Sequence, residues 1–212
     1  MLIDTGTGGQ LAPTAGKMMD NLTAAGLRPE EIGTILVSHF HPDHIFGLMA
    51  KDTNAPIFPQ AEILVPEVEI GYWTDPATVA ALPEGSRGLA ERIAATLGTW
   101  DSVGRIAGDT EVAPGVRSLP AHGHTPGHTA LVVGSGSDEL IVAGDVANVP
   151  ALFGVARGVR PRLLPDAVSS TTLAHLRTGR GHPSLDRSRG GALVPTGLRK
   201  RITRAFWCRV VV

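Results

Sequence analysis

The sequence predicts an α/β fold, and three observations carry that expectation. A short strand, a helical stretch and a second strand follow one another between Met1 and Val37. Directly after the second strand the polar residues His39, His41, Asp43 and His44 crowd into six positions, and the carboxyl end of a strand is where α/β folds build their sites. The chain has 212 residues and 42% apolar content, enough for one domain with a sizeable core.

The elements are read in order. Met1 to Asp4 is a short strand that Gly6, Gly8 and Gly9 terminate. Leu11, Ala15, Met18, Leu22 and Ala25 recur at a helical period, with Gly26 as the stop; Met18 and Met19 read as core packing. Pro29-Glu30-Glu31 starts a helical turn, and Ile32, Ile35, Leu36 and Val37 lead into the histidine loop. Ala61 to Val65 is a further strand. The stretch from Pro66 to Ile106 is looser, with a helical pattern from Leu89 to Leu97. Tyr72 and Trp73 there either line a pocket or pack a helix onto the sheet. Thr110 to Leu119 reads as paired strands around the Pro114-Gly115 turn. Thr129 to Val133 and Glu139 to Ala143 form a hairpin closed by Gly134 to Asp138.

The histidine loop carries the chemistry. In an extended segment side chains alternate faces, so His39 and His41 point the same way. Pro42 ends the extended backbone and places Asp43 and His44 in the first turn of a helix. The result is two imidazoles for one metal ion, and a carboxylate with an imidazole for a second. Such ligands suit zinc and its first-row neighbours, and zinc is the expected metal.

The pattern His39-x-His41-x-Asp43-His44 resembles the signature of the metallo-β-lactamase superfamily of metallohydrolases. The resemblance extends to Leu2-Ile-Asp-Thr-Gly6, Gly123-His-Thr-Pro-Gly-His128 and Ala143-Gly-Asp145. Ser38 to His44, Gly108 to Gly115 and His122 to Thr129 look most like the methyl parathion hydrolase branch. It implies an αββα sandwich over residues 1–153 that lacks its first strands, since the family places strands ahead of Met1. It also implies two divalent metal ions, His39, His41 and His124 holding one, Asp43, His44, Asp145 and a last histidine the other. Asp145 would bridge the two. Either His122 or His128 is the alternative to His124 and is otherwise structural. Asp4 lies beside the metal loop in relatives and is either a partner of a ligand histidine or a turn residue. The implied activity is hydrolysis by a metal-bridging hydroxide of an ester, lactone or phosphotriester, with Asp43 as the catalytic group that orients the hydroxide and carries the proton. A thioester hydrolase and a β-lactamase are the less favoured substrate readings, and an inactive or unstable fragment of such a hydrolase is the competing one. A homodimer is an assembly left open.

Net charge separates the chain in two. Residues 1–153 hold 7 Lys and Arg against 18 Asp and Glu, whereas 154–212 hold 12 against 2. The family pattern ends at the same point, which fits a shift of the coding frame near codon 153. In this Arg-rich tail His182, within Gly181-His-Pro-Ser184, is the nearest substitute for the last ligand, with His175 the alternative. The tail has few interleaved aromatics, so no nucleic acid is expected as a partner; a basic binding module would require tight, salt-sensitive binding. No run of about 18 apolar residues exists, so no membrane partner is expected. The N-terminus has no basic region or long apolar core, so as written the chain reads as cytoplasmic. Cys208 is the only cysteine, which excludes an internal disulfide.

Overall fold

The computed structural model describes residues 1–135 and 138–146. The Arg-rich tail, His175 and His182 lie outside the described residues.

Among the described residues, eight strands form two sheets. The first is parallel, in the order β1 (Leu2–Ile3), β2 (Thr34–Leu36), β3 (Glu62–Pro66), β4 (Val103–Ile106). The second is antiparallel and sequential, with β5 (Glu111–Ala113), β6 (Val116–Pro120), β7 (Thr129–Ser135) and β8 (Asp138–Val142). Parallel pairing needs crossover connections, and the helices supply them. These are α1 (Met18–Ala24) between β1 and β2, α2 (Pro42–Ile45) after β2, and α3 (Glu67–Thr74), α4 (Pro76–Ala81) and α5 (Glu84–Ala95) between β3 and β4.

Period-2 alternation decides which layer each strand residue meets. Ile35, Val37, Ile63 and Val65 turn towards the helices, joining Met18, Leu22, Ile70, Trp73, Ala90 and Ile93 in the larger core. Leu36 and Leu64 turn the other way and meet Val116, Leu131 and Val133 of the second sheet. Ile35 and Leu36 are wholly buried, and each such side chain contributes about 1.5–3 kcal/mol relative to exposure. Burial on both faces explains why this segment reads as a continuous apolar run rather than an alternating one.

Three sequence expectations are corrected. The helix expected from Leu11 starts instead at Met18. Gly16 has φ +88° and its Cα packs on Gly9, where a Cβ would lie 2.0 Å from the Gly9 nitrogen, so the segment ahead of α1 is a tight loop. Leu11 is accordingly exposed. The Gly26 stop is found, with φ +74° and the Leu27 N–H donating to the Leu22 carbonyl at 2.9 Å. The stretch from Pro66 to Ile106 is also more ordered than its sequence suggests, holding α3, α4 and β4. In α3 a wholly buried Glu69 sits beside Ile70 and Trp73, and a charged residue on the inner face hides the helical period. The helical pattern from Leu89 begins earlier, at Glu84. Trp73 is buried in the helix-side core, so the packing reading of Tyr72 and Trp73 holds. Among the described residues no helix is long and apolar enough to cross a membrane.

Candidate metal centre

The site forms where four segments meet, those that follow β1, β2, β6 and β8. β2 ends at Leu36 and the chain bends at Ser38; His41, with extended backbone dihedrals, is the N-terminal boundary of α2, with Pro42 as its first helical residue. Proline is preorganised for that position and lacks the N–H that would be unpaired there. Asp43 and His44 therefore ride on the first turn, as the spacing predicts. His124 comes from the turn between β6 and β7, whose strands are in register from Pro120↔Thr129 onward. Asp145 lies in the 3-10 turn Gly144–Val146 that follows β8.

Three ring nitrogens converge. His39 Nε2 and His41 Nδ1 are 3.2 Å apart, and His41 Nδ1 and His124 Nε2 are 2.8 Å apart. Four ligands at 2.0–2.1 Å around a tetrahedral zinc stand about 3.3 Å from one another, so these nitrogens match such a set after a small outward movement. A second group of His39, His44 and Asp145 adjoins it; within each group all ligand atoms lie within 4.8 Å of one another. Asp145 spans the two, with Oδ2 3.3 Å from His124 Nε2 and Oδ1 3.6 Å from His44 Nε2. Asp43 stands at the rim. Its Oδ2 is 3.7 Å from His44 Nε2 and its side chain is 56% exposed.

The outward ring nitrogens of His39 and His44 are used to orient those two rings. Ser38 Oγ is 3.0 Å from His39 Nδ1 and 2.7 Å from Asp4 Oδ2. That arrangement suits a His39 whose Nδ1–H donates to Ser38 and whose Nε2 carries the free lone pair. Asp4 Oδ2 also meets His44 Nδ1 at 2.8 Å, and Asp4 Oδ1 accepts the Ser38 N–H at 2.7 Å. Asp4 is thus the partner of a site histidine rather than a plain turn residue. It adopts φ +55°, a left-handed conformation that aspartate tolerates better than most side chains.

Electrostatics separate the four histidines. Burial drives His39 far below the ordinary imidazole range, and the neighbouring His44, His128, His41 and His124 push it further. Burial and then His124 lower His41, against the pull of Asp43 and Glu69. Both are held neutral, the form that binds metal. Burial alone would lower His44 too, but the Asp4 hydrogen bond, reinforced by Asp4, Asp145 and Asp43 charge, raises it. His128 is wholly buried; burial pushes it down to about 3. Its Nε2 accepts the Asp145 N–H at 3.0 Å, a structural role that orients the Asp145 backbone.

One residue escaped the sequence reading altogether. Glu69 has both carboxylate oxygens bonded to the loops that carry His39, His41 and His124. Its only signal in the sequence is an acidic residue four positions before a tryptophan, between apolar neighbours.

This geometry agrees with what the chain is similar to. The family model described as "Metallo-beta-lactamase superfamily" matches residues 1–177, and the chain belongs to that superfamily of hydrolases. N-acyl homoserine lactonase from Bacillus cereus is 28% identical over 137 residues, which cover 63% of this chain and 47% of the lactonase. N-acyl homoserine lactonase from a Bacillus species is 32% identical over 117 residues, covering 55% and 39%. Among solved structures, the hydrolase AbOPH of the beta lactamase superfamily superposes with TM-score 0.61 at 27% identity, covering 69% of this chain and 52% of that one. AidC, a dizinc quorum-quenching lactonase, superposes with TM-score 0.57 at 26% identity, with the same coverage. The chain spans less than half the length of these two curated relatives and about half that of the two solved structures.

Proposed function

We propose that this protein is a dinuclear metallohydrolase of lactones and related esters, with phosphotriesters as the second substrate class. The observation that carries the reading is the carboxylate of Asp145, one oxygen turned to His124 and the other to His44. A single isolated metal site would need only one of them. In this reading His39, His41 and His124 hold one ion, and Asp43, His44 and Asp145 hold the other with His182 as the remaining ligand. Residues 1–153 form the metal-binding unit.

Divalent ions bound there would acidify water near neutral pH and polarise the scissile carbonyl or phosphoryl group. The chain's own residues do the rest. The neutral His39 and His41 present lone pairs without first losing a proton. Asp4 and Ser38 hold the rings so that Nε2 of His39 and of His44 face the centre. In this reading Asp43 takes a proton and passes it to the leaving oxygen, a role supported by its half-exposed side chain beside His44. The relatives named as lactonases support the lactone end, and the motif likeness over Gly108–Gly115 and His122–Thr129 supports the phosphotriester class.

Metal content per folded monomer, measured after gel filtration, together with turnover of a chromogenic lactone and phosphotriester, tests this. Two equivalents of zinc, with turnover abolished by chelator and restored by zinc, are expected, and His182→Ala should then lower the second equivalent. One equivalent or less without turnover would leave a metal-binding remnant of a hydrolase and refute the catalytic reading.

A further inference from the structure

Glu69 is a wholly buried carboxylate on α3, outside every ligand group, and four hydrogen-bond donors converge on it. Oε1 accepts the Phe40 backbone N–H at 3.0 Å and the Trp73 indole N–H at 2.8 Å. Oε2 accepts the Thr125 hydroxyl at 2.7 Å and the Gly127 backbone N–H at 2.8 Å. Phe40 lies between His39 and His41, and Thr125 follows His124. The two oxygens therefore grip the two histidine loops separately. A buried carboxylate is costly unless its lone pairs are filled, and here each oxygen takes two donors.

The contact is also sterically exclusive. A Cβ on Gly127 would lie 2.1 Å from the Glu69 backbone nitrogen and 2.6 Å from the Glu69 Cβ. The loop after His124 is pressed onto the backbone of α3 at a point where only glycine fits. The loop reaches α3 by close approach and is held there by Oε2, while Oε1 performs the same task for the other loop.

We propose that Glu69 is a positioning residue that sets the distance between His124 and the His39–His41 pair by clamping both loops to α3; this rests on the reading of those histidines as metal ligands. Glutamine cannot reproduce the clamp. Its NH2 must face one pair of donors. Facing the Phe40 and Trp73 side leaves two N–H groups unpaired. Facing the other side leaves only the Gly127 N–H unpaired, because the Thr125 hydroxyl can turn and accept. Glu69→Gln therefore releases the His124 loop and keeps the other loop.

Two measurements on the full chain test this. In metal-free Glu69→Gln, amide hydrogen exchange at Gly127 should quicken by about tenfold or more while Phe40 stays protected. Zinc affinity of the same variant should fall about 10–100-fold, the usual effect of losing an outer-shell support. Thr125→Val keeps three of the four bonds, so it should weaken zinc by a smaller factor, and the loss in the double variant should be smaller than the sum of the two single losses, because both changes disturb the same Oε2 contact. If Glu69→Gln does not fold, the zinc affinity of Thr125→Val decides. Unchanged Gly127 exchange, unchanged zinc affinity in Thr125→Val, or fully additive losses would overturn the proposal. A wild-type chain that takes up no zinc would instead overturn the metal-site reading, with the exchange pattern still deciding whether Glu69 clamps the loops.

Discussion

Acidifying the metal-free protein is expected to remove stability through His128, and the structure sets the size of the loss. This imidazole is wholly buried, donates nothing from Nδ1 among the described residues, and is pushed by burial from 6.5 down to about 3. Between those values the unfolded chain carries a proton there and the native chain does not. The unfolded state thus binds more protons, and stability rises with pH through this window and is lost as pH falls below 6.5. One proton contributes about 1.4 kcal/mol per pH unit, so at pH 5 the loss through His128 alone is about 2 kcal/mol relative to pH 8. His39 is depressed by the same cause and adds a loss of the same sign. His44 is raised and opposes them, its stabilisation being present at low pH and lost as pH rises through its folded value. Urea unfolding at pH 8, 6 and 5 in the presence of chelator measures the slope. The control is His128→Gln, whose amide oxygen can still accept the Asp145 N–H. It should be less stable at pH 8 yet show a shallower acid slope, by about one proton. Identical slopes in the two proteins would show that His128 titrates normally and would refute the argument from burial.

Other perturbations have equally definite outcomes. Asp4→Asn keeps the shape of the turn but removes the charge facing His44 and Ser38, so zinc affinity should fall about 10–100-fold in a chelator competition assay. Gly127→Ala drives a methyl into the α3 backbone and should cost about 2–3 kcal/mol by chemical denaturation. Zinc at a hundredfold excess over its dissociation constant should stabilise the wild type by about 2.7 kcal/mol, seen as a rise in melting temperature. His41→Ala removes a nitrogen from the first group and should abolish most of that rise together with any zinc-dependent turnover.

Much of this protein was legible along the chain because its chemistry is local. His39, His41, Asp43 and His44 fall within six positions just after β2, and Pro42 starts the helical turn that carries the last two. Ile35 to Val37 announced a doubly buried strand because both faces of that segment are covered. Gly26 and the Pro114-Gly115 turn marked real ends, since each needs a backbone conformation that few residues supply. The placement of His124 and Asp145 beside that loop followed from family resemblance, and the pairing of β6, β7 and β8 is what brings His124 to 2.8 Å from His41 and Asp145 to 3.6 Å from His44.

The rest needed the tertiary structure. The start of α1 depended on Gly16 packing against Gly9, a contact that periodicity cannot show. Whether Asp4 is a turn residue or a histidine's partner depended on β1 lying parallel to β2, which brings its carboxylate to Ser38 and His44 across more than thirty positions of sequence. Glu69 is the clearest case. A glutamate in a short helix reads as a solvated charge, and only the meeting of α3 with two distant loops turns it into a buried anion with four donors. The amino-acid sequence by itself gathered four candidate ligands, His39, His41, Asp43 and His44, into one short loop. The tertiary structure decided which groups meet, which stay neutral, and what holds them in place, because those properties depend on burial and on partners far away in the chain.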